Sequence, residues 1–249
     1  MDGRLTVRIG IGGWTYEPWR GVFYPDGLVQ RRELEYAAQH LTAIEINATF
    51  YGRQKPTSWR KWGEAVPEGF QFTVKASRYS TARKVLAEGA DSIEKFLNQG
   101  FTELGDKLGP ILWQFAPTKH FERDDFARFL DLVPDSQDGV PLRHALEIRH
   151  ESFEDPTFFE LARTRNMAVV FADSDEYPCI DEATADFSYA RLQRTEESVE
   201  TGYDDKALDA WAEKARGWPK GGRDAYVFFI AGAKVRNPTA ARMLIKRMI

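Results

Sequence analysis

The amino-acid sequence predicts an α/β fold, a single TIM-type (β/α)8 barrel that occupies residues 1–249. Eight short apolar runs alternate with longer amphipathic segments, as strands and helices do in a parallel sheet. A length of 249 residues suits one barrel domain. A doubly wound open sheet usually carries G-x-G-x-x-G after its first strand, and the nearest match, GIGG at residues 10–13, lacks that spacing.

The apolar runs give the predicted strands in order, and near-continuous runs of this kind are typical of parallel strands buried on both faces. They are residues 7–11, 43–47, 70–75, 111–115, 144–149, 168–173, 187–193 and 225–230. Segments with apolar residues three or four apart are the predicted helices, at 31–40, 57–65, 91–104, 124–133, 156–165, 204–216 and 238–248. Only about a dozen residues separate the sixth and seventh strands, so we expect a short or irregular helix between them. Three helix starts carry candidate capping residues, namely Asp155, Asn237 and either Asp204 or Asp205.

Composition narrows the class of partner and the cellular compartment. The formal net charge of −4 disfavours a globally basic nucleic-acid binder, although a local basic patch leaves a nucleic-acid partner open. The single cysteine, Cys179, cannot form an intramolecular disulfide, which favours a reducing compartment. Without a signal-like or membrane-length apolar segment, we expect a cytoplasmic protein with no membrane partner.

Strand parity predicts which side chains point into the barrel. In the second strand Ile44 and Ile46 suit the helix layer, so Glu45 and Asn47 point inward. The same argument predicts that these residues also point into the barrel: Thr73, Lys75, Gln114, Glu147, Arg149, Tyr189, Arg191 and Gln193. Asp173 ends the sixth strand.

These polar residues lie in the C-terminal halves of their strands, where barrel enzymes build their sites. Three carboxylates and three cations meet there, so a charge-balanced network is feasible: Glu45, Glu147 and Asp173 with Lys75, Arg149 and Arg191. Such a network could merely fill the barrel end. Because buried ion pairs are a weak source of stability, we favour a ligand site. The alternation of charges and the lack of an inward histidine disfavour a metal site, and the sequence indicates no particular cofactor.

The loops add further candidates. Trp14, Tyr16 and Tyr51 are expected ligand contacts, while the other aromatic residues nearby are expected to hold the loops in place. His150 is a candidate general acid or base, or a loop histidine packed by its neighbours. Lys234 and Arg236, just before a predicted helix start, are a candidate phosphate site, unless both cations are simply solvated.

An ordered set of motifs resembles the domain-of-unknown-function 72 (YecE-like) family over nearly the whole chain. The motifs are GGWTY at 12–16, WRGVFYP at 19–25, EINATFY at 45–51, FQFTVKA at 70–76, LWQF at 112–115, EIRH at 147–150 and SYARL at 188–192. The resemblance implies a barrel fold and no particular reaction. The family usually has His-Gly where this chain has Gln193-Arg194, and two asparagines where it has Ile230-Ala231.

Two functions follow from these residues. The first is an enzyme acting on a small anionic or phosphorylated substrate, with Arg149, Arg191 and Lys75 binding the anion and the carboxylates moving protons. Lys75 could form a Schiff base if its pKa were depressed, although nearby carboxylates favour its charged form. The alternative is a non-catalytic protein that binds a nucleotide, a nucleic-acid end or a metabolite. A glycosidase is disfavoured, because Gln114 and Arg191 stand where the usual barrel glycosidases carry their acids.

Overall fold

The structure is a computed structural model that describes residues 7–218 and 224–249. Its strands are β1 Val7–Gly12, β2 Ala43–Ile46, β3 Gln71–Lys75, β4 Leu108–Gln114, β5 His144–Glu147, β6 in two segments Ala168–Val169 and Phe171–Asp173, β7 Phe187–Leu192 and β8 Asp224–Phe229. A small hairpin of Ser136–Gln137 and Val140–Pro141 precedes β5.

All pairings in the large sheet are parallel and follow the chain order, and β8 also pairs with β1. The sheet has nine segments, because β6 is interrupted at Val170. The segment before Val170 pairs with β5 and the segment after it pairs with β7. Strands therefore occupy eight positions around a ring, which confirms the predicted TIM-type barrel.

Helices surround the barrel. They are α1 Glu33–His40, α2 Ala48–Tyr51, α3 Pro56–Glu64, α4 Arg78–Thr81, α5 Ala90–Leu97, α6 Arg123–Leu132, α7 Pro156–Thr164, α8 Asp205–Gly217 and α9 Asn237–Met248. Short 3-10 turns occur at Glu17–Trp19, Gln30–Arg32, Leu86–Gly89, Phe101–Lys107, Glu151–Phe153 and Lys234–Arg236. Within the described ranges, no helix is long and apolar enough to cross a membrane.

Several local predictions are wrong, among them the single helix expected over residues 91–104, since α5 ends at Leu97. Residues 174–186 contain no helix; instead Val169 N donates to the Thr184 hydroxyl at 2.8 Å, and that hydroxyl donates to Met167 O at 2.7 Å. These side-chain bonds hold an irregular segment against β6 in place of a helical turn. Asn237 does not cap α9, because its side chain bonds to Thr195 and Ala231. Asp155 and Asp204 do cap their helices, accepting from backbone N–H groups at 2.7 Å.

The barrel interior has an apolar middle below a polar upper layer. Its middle is formed by Ala43, Leu112, Ala145, Ala168, Val170, Phe187, Tyr189, Tyr226 and Phe228. Gly10 allows β1 to approach β2 closely, since a Cβ there would lie 1.9 Å from Ala43 O. The polar layer therefore rests on a packed floor at the C-terminal end of the strands.

Candidate functional site

A buried arginine links two buried glutamates inside the barrel. Arg191 donates to Glu45 Oε1 at 3.0 Å and to Glu147 Oε2 at 2.6 Å. The side chain of Arg191 is 2% exposed and both glutamates are 0% exposed. All three side chains lie inside the barrel, as strand parity predicts, because their neighbours in sequence are apolar and face the helices.

The other carboxylate oxygens also have donors. Tyr189 donates to Glu45 Oε2 at 2.7 Å, and Thr73 lies 2.9 Å from the Tyr189 hydroxyl. Since the one Tyr189 proton goes to Glu45, Thr73 donates to Tyr189. Gln114 and Arg149 donate to Glu147, Arg149 at 3.3 Å. Both glutamates are thus held as hydrogen-bond acceptors.

The electrostatics keep Glu147 ionised. Burial alone would raise the pKa of Glu147, but the positive charges of Arg191, Arg149 and Lys75 outweigh burial and lower this pKa to about 2. A carboxyl group with this pKa has no proton to donate at neutral pH. Glu147 is therefore suited to orient the arginines rather than to act as an acid.

Lys75 lies next to this network but has no direct carboxylate partner among the described residues. It ends β3, its side chain is buried, and its Nζ lies 4.2 Å from the centroid of the Phe50 ring. Burial and the charge of Arg191 lower the pKa of Lys75 to about 8, although Glu45 and Glu147 act to raise it. The two carboxylates do raise the pKa of Lys75, as the sequence predicts, but burial and Arg191 lower it by more.

A cavity of about 830 Å³ opens above this layer. Its described lining includes four cationic side chains, Lys75, Arg149, Arg191 and Lys234, and no aspartate or glutamate. Even with Glu45 and Glu147 counted below it, four cations face two carboxylates, a formal surplus of two positive charges. The cavity is therefore positively charged in a protein with a negative net charge.

Most of the predicted ligand-binding residues line this cavity. Besides the cations, they are Trp14, Asn47, Tyr51 and Gln114. Trp14 packs edge-on against Trp62 with ring centroids 5.0 Å apart, and the Tyr51 side chain is 69% exposed at the rim. Tyr16 lies behind the lining, where its ring supports Lys234 Nζ at 4.2 Å.

Asp173 lies apart from the cavity. It shares its strand face with Phe171, whose ring packs against Trp211 of α8, so both side chains point to the helix layer. The Asp173 carboxylate accepts from Tyr203 at 3.0 Å and pairs with Arg194 at 3.2 Å. Asp173 points away from the barrel interior because Ala168 and Val170 occupy the inward positions of β6.

Three other candidates are also outside the lining. His150 Nδ1 accepts from Ser152 N at 3.1 Å and its ring lies 3.8 Å from that of His120, so it caps a turn. Arg236 donates to Glu197 O at 3.1 Å, away from Lys234, so the two cations of the predicted phosphate site diverge. The Gln193 side-chain nitrogen is buried without a described partner.

Sequence reasoning missed Phe50 and Trp62 as cavity walls, and Thr49 as a support of Lys75. Thr49 Oγ1 donates to Lys75 O at 2.6 Å. Trp62 stands three residues after Trp59 on α3, a spacing that could have placed both on one helix face. Within the described chain, no group of three or more His, Cys, Asp or Glu side chains could hold a metal ion.

Comparison with known proteins gives a family match over residues 8–249, to the family described as "Protein of unknown function DUF72". A DUF72 family protein from Thermotoga maritima MSB8 is similar in structure, with a TM-score of 0.78 and 23% identity over 98% of each chain. A DUF72 family protein from Enterococcus faecalis V583 matches with a TM-score of 0.75 and 18% identity, over 98% of this chain and 95% of that one.

One curated relative adds sequence similarity. The UPF0759 protein YunF of Bacillus subtilis (strain 168) is 28% identical over 159 residues, which cover 62% of this chain and 54% of that protein. This chain therefore spans about half the length of that relative. The solved structures support the fold, and none of these descriptions states a ligand or a reaction.

Proposed function

The chain belongs to the DUF72 family of proteins of unknown function, and we propose that it binds a small anionic or phosphorylated ligand at the barrel mouth, with acid–base chemistry at Lys75. The observation that carries this proposal is the cavity lining, which has four cationic side chains and no carboxylate among the described residues. A charged pocket with apolar walls binds anions more strongly than an exposed patch does, because less water screens the charges.

The arginines suit an oxyanion. A guanidinium has a planar set of donors that matches phosphate or carboxylate geometry. Arg149 borders the cavity with its side chain 19% exposed, and its Nε has no described partner. Glu147 fixes the Arg149 head group at 3.3 Å, so the cation is oriented before a ligand arrives.

Lys75 is the group best suited to proton transfer. With a pKa of about 8, a minor fraction of its amine is neutral at pH 7 and can accept a proton. A bound anion would favour the charged amine and raise this pKa. Glu45 and Glu147 then act as positioning residues rather than as the proton-transfer groups that the sequence predicts.

Glycerol 3-phosphate titration by calorimetry tests the anion site, with Arg149→Met as the probing variant and Arg128→Met as its control. Arg128 is exposed on α6 and makes no described contact with the cavity. Loss of a charge-assisted hydrogen bond costs about 1.5–3 kcal/mol, so Arg149→Met should weaken binding roughly 10- to 100-fold. Binding that is absent at millimolar ligand, or equal in both variants, would overturn the proposal.

A second function is the non-catalytic binding of a nucleotide, a nucleic-acid end or a metabolite. The aromatic walls favour it, since the exposed ring of Tyr51 and the ring of Trp14 could stack on a base. Stabilisation by nucleoside monophosphates in a thermal-shift screen, without turnover in a parallel activity screen, would support this function over the enzyme. A cytoplasmic location, favoured by the lone cysteine, is part of the proposal.

A further inference from the structure

We propose that Lys75 is a nucleophile that forms an imine with the aldehyde or ketone group of an anionic substrate. The inference rests on the proposed function and adds a substrate class to it. It starts from geometry: a buried primary amine faces a cationic cavity and has no carboxylate partner among the described residues.

The backbone holds Lys75 firmly at the cavity floor. Lys75 O accepts from Thr49 Oγ1 at 2.6 Å, and the next residue, Ala76, donates its N–H to Leu112 O at 2.8 Å. The side chain is 8% exposed, and Phe50 covers one side of its Nζ. A nucleophile on a rigid strand end can be placed accurately against a bound carbonyl carbon.

The surroundings activate the amine. A lysine becomes nucleophilic when its neutral form is favoured, either by burial or by a neighbouring cation. Both conditions hold here, because the Lys75 side chain is buried and Arg191 and Arg149 carry positive charge nearby. Arg191 also bonds one oxygen of each glutamate, so neither carboxylate forms a direct ion pair with Lys75, although both still act to raise its pKa.

Lys234 is the other amine in the described lining, and it is a weaker candidate. It lies on the loop after β8, is exposed, and rests on the ring of Tyr16 at 4.2 Å. Partial burial of its amine lowers its pKa, and among the described residues no neighbouring cation adds to this effect. Its position at the rim suits attraction of the anionic group of the substrate.

The step is balanced without an oxidant or a metal. The neutral Lys75 amine attacks the carbonyl carbon, so a C–N bond forms and the C=O π bond breaks. The carbinolamine then loses its C–O bond, and the oxygen leaves as water with the two amine hydrogens. The carbonyl substrate is the only co-reactant. Arg149 would hold the anionic group and thereby orient the carbonyl toward Nζ.

Borohydride trapping with glyceraldehyde 3-phosphate tests the inference, and peptide mass spectrometry locates the reduced adduct. At pH 7 a lysine with a pKa of about 8 has roughly 300-fold more neutral amine than an ordinary lysine. We expect Lys75 to be labelled at least about tenfold faster than other lysines, since a lower pKa also reduces intrinsic nucleophilicity. Glycerol 3-phosphate should compete, and at substrate concentrations low enough to leave the site mostly empty, labelling should rise as the pH increases through about 8, the pKa of Lys75 in the ligand-free protein.

Two variants control the experiment. Lys75→Met should lose the fast adduct, whereas Lys206→Met, which removes an exposed amine on α8, should label like the native protein. If glycerol 3-phosphate binds but Lys75 reacts no faster than exposed lysines, the imine is overturned and the anion site stands. If Lys75 reacts fast but glycerol 3-phosphate neither binds nor competes, the anionic substrate class is overturned. If neither binding nor fast labelling occurs, both proposals are overturned.

Discussion

Replacement of Glu147 by glutamine tests the central feature of the site, the buried charge network. Glu147 is fully buried, and its two oxygens accept from Arg191, Arg149 and Gln114. Glutamine keeps the shape of the side chain but removes its negative charge. Arg191 would then retain only Glu45 as a charged partner, at 3.0 Å.

The size of the effect follows from the pKa of Glu147. The difference between an ordinary value of 4.5 and the folded value of about 2 corresponds to roughly 3 kcal/mol of stabilisation at pH 7. Breaking a buried ion pair at one partner costs about 3–5 kcal/mol, which agrees in size. We therefore expect Glu147→Gln to lower the free energy of unfolding by about 3 kcal/mol.

The pH dependence gives a second test of the same variant. Because the folded pKa lies below the unfolded one, the stabilisation is fully present above about pH 4.5 and is lost as the pH falls toward about 2. The difference in stability between Glu147→Gln and the native protein should therefore shrink over that range. A difference that stays constant down to pH 2 would contradict the charge explanation.

Urea denaturation at pH 7 measures the predicted loss, with Glu213→Gln as the matched control. Glu213 is exposed on α8, and no described ion pair involves it. Its replacement removes one carboxylate from the surface, where isolated charges contribute little. Equal unfolding midpoints for the two variants, with unchanged m-values, would refute the reasoning.

Two further predictions concern buried bases. Lys75→Met should raise the free energy of unfolding by roughly 3 kcal/mol at pH 7, because the folded pKa of about 8 reflects a buried charge that methionine removes. This gain in stability should fade between pH 8 and 10.5. A variant no more stable than the native protein would contradict the prediction. Burial lowers the pKa of His144 to about 4, so unfolding takes up a proton below pH 6.5 and stability should fall from pH 6.5 to 4. In His144→Gln that fall should be smaller by urea denaturation, and an unchanged slope would count against burial as its cause.

The sequence predicts much of this site because polar and apolar residues alternate in β2, β5 and β7. Ile44 and Ile46 identify the helix face of β2, so the direction of Glu45 follows. The sixth strand gives no such signal, since its residues before Asp173 are all apolar. There the inward positions go to Ala168 and Val170, and Asp173 faces the helices.

The pairing of charges could not be predicted from alternation. Parity gives the side of the sheet for Lys75 and Arg191, but the height of each head group depends on side-chain length and strand register. Lys75 lies opposite Leu112 on β4, whereas Glu45 lies opposite Thr73, two residues earlier on β3. Arg191 reaches both glutamates from β7, and so Lys75 loses the partners that the sequence suggested for it.

A helix boundary shows a different limit. The apolar spacing of residues 91–104 predicts one helix, but α5 ends at Leu97 and a 3-10 turn follows from Phe101. Gly100, between them, has a φ of 86°, a left-handed conformation that ends α-helices. In the sequence a single glycine is the only mark of this helix end, whereas the spacing of the apolar residues continues past it and predicts one helix.

The end of β8 bears on which ligands the cavity can take. The family resemblance implies two asparagines there, where this chain has Ile230 and Ala231. Ala231 has a φ of 60°, a conformation that asparagine adopts more readily than alanine. The backbone at this position therefore has the geometry expected for asparagine, while the wall itself presents the apolar side chain of Ile230. We therefore expect the polar groups of the proposed ligand to be bound mainly from the side of β2 to β5, by Asn47, Gln114 and Arg149, with its anionic group also attracted by Lys234 at the rim and an apolar part against Ile230.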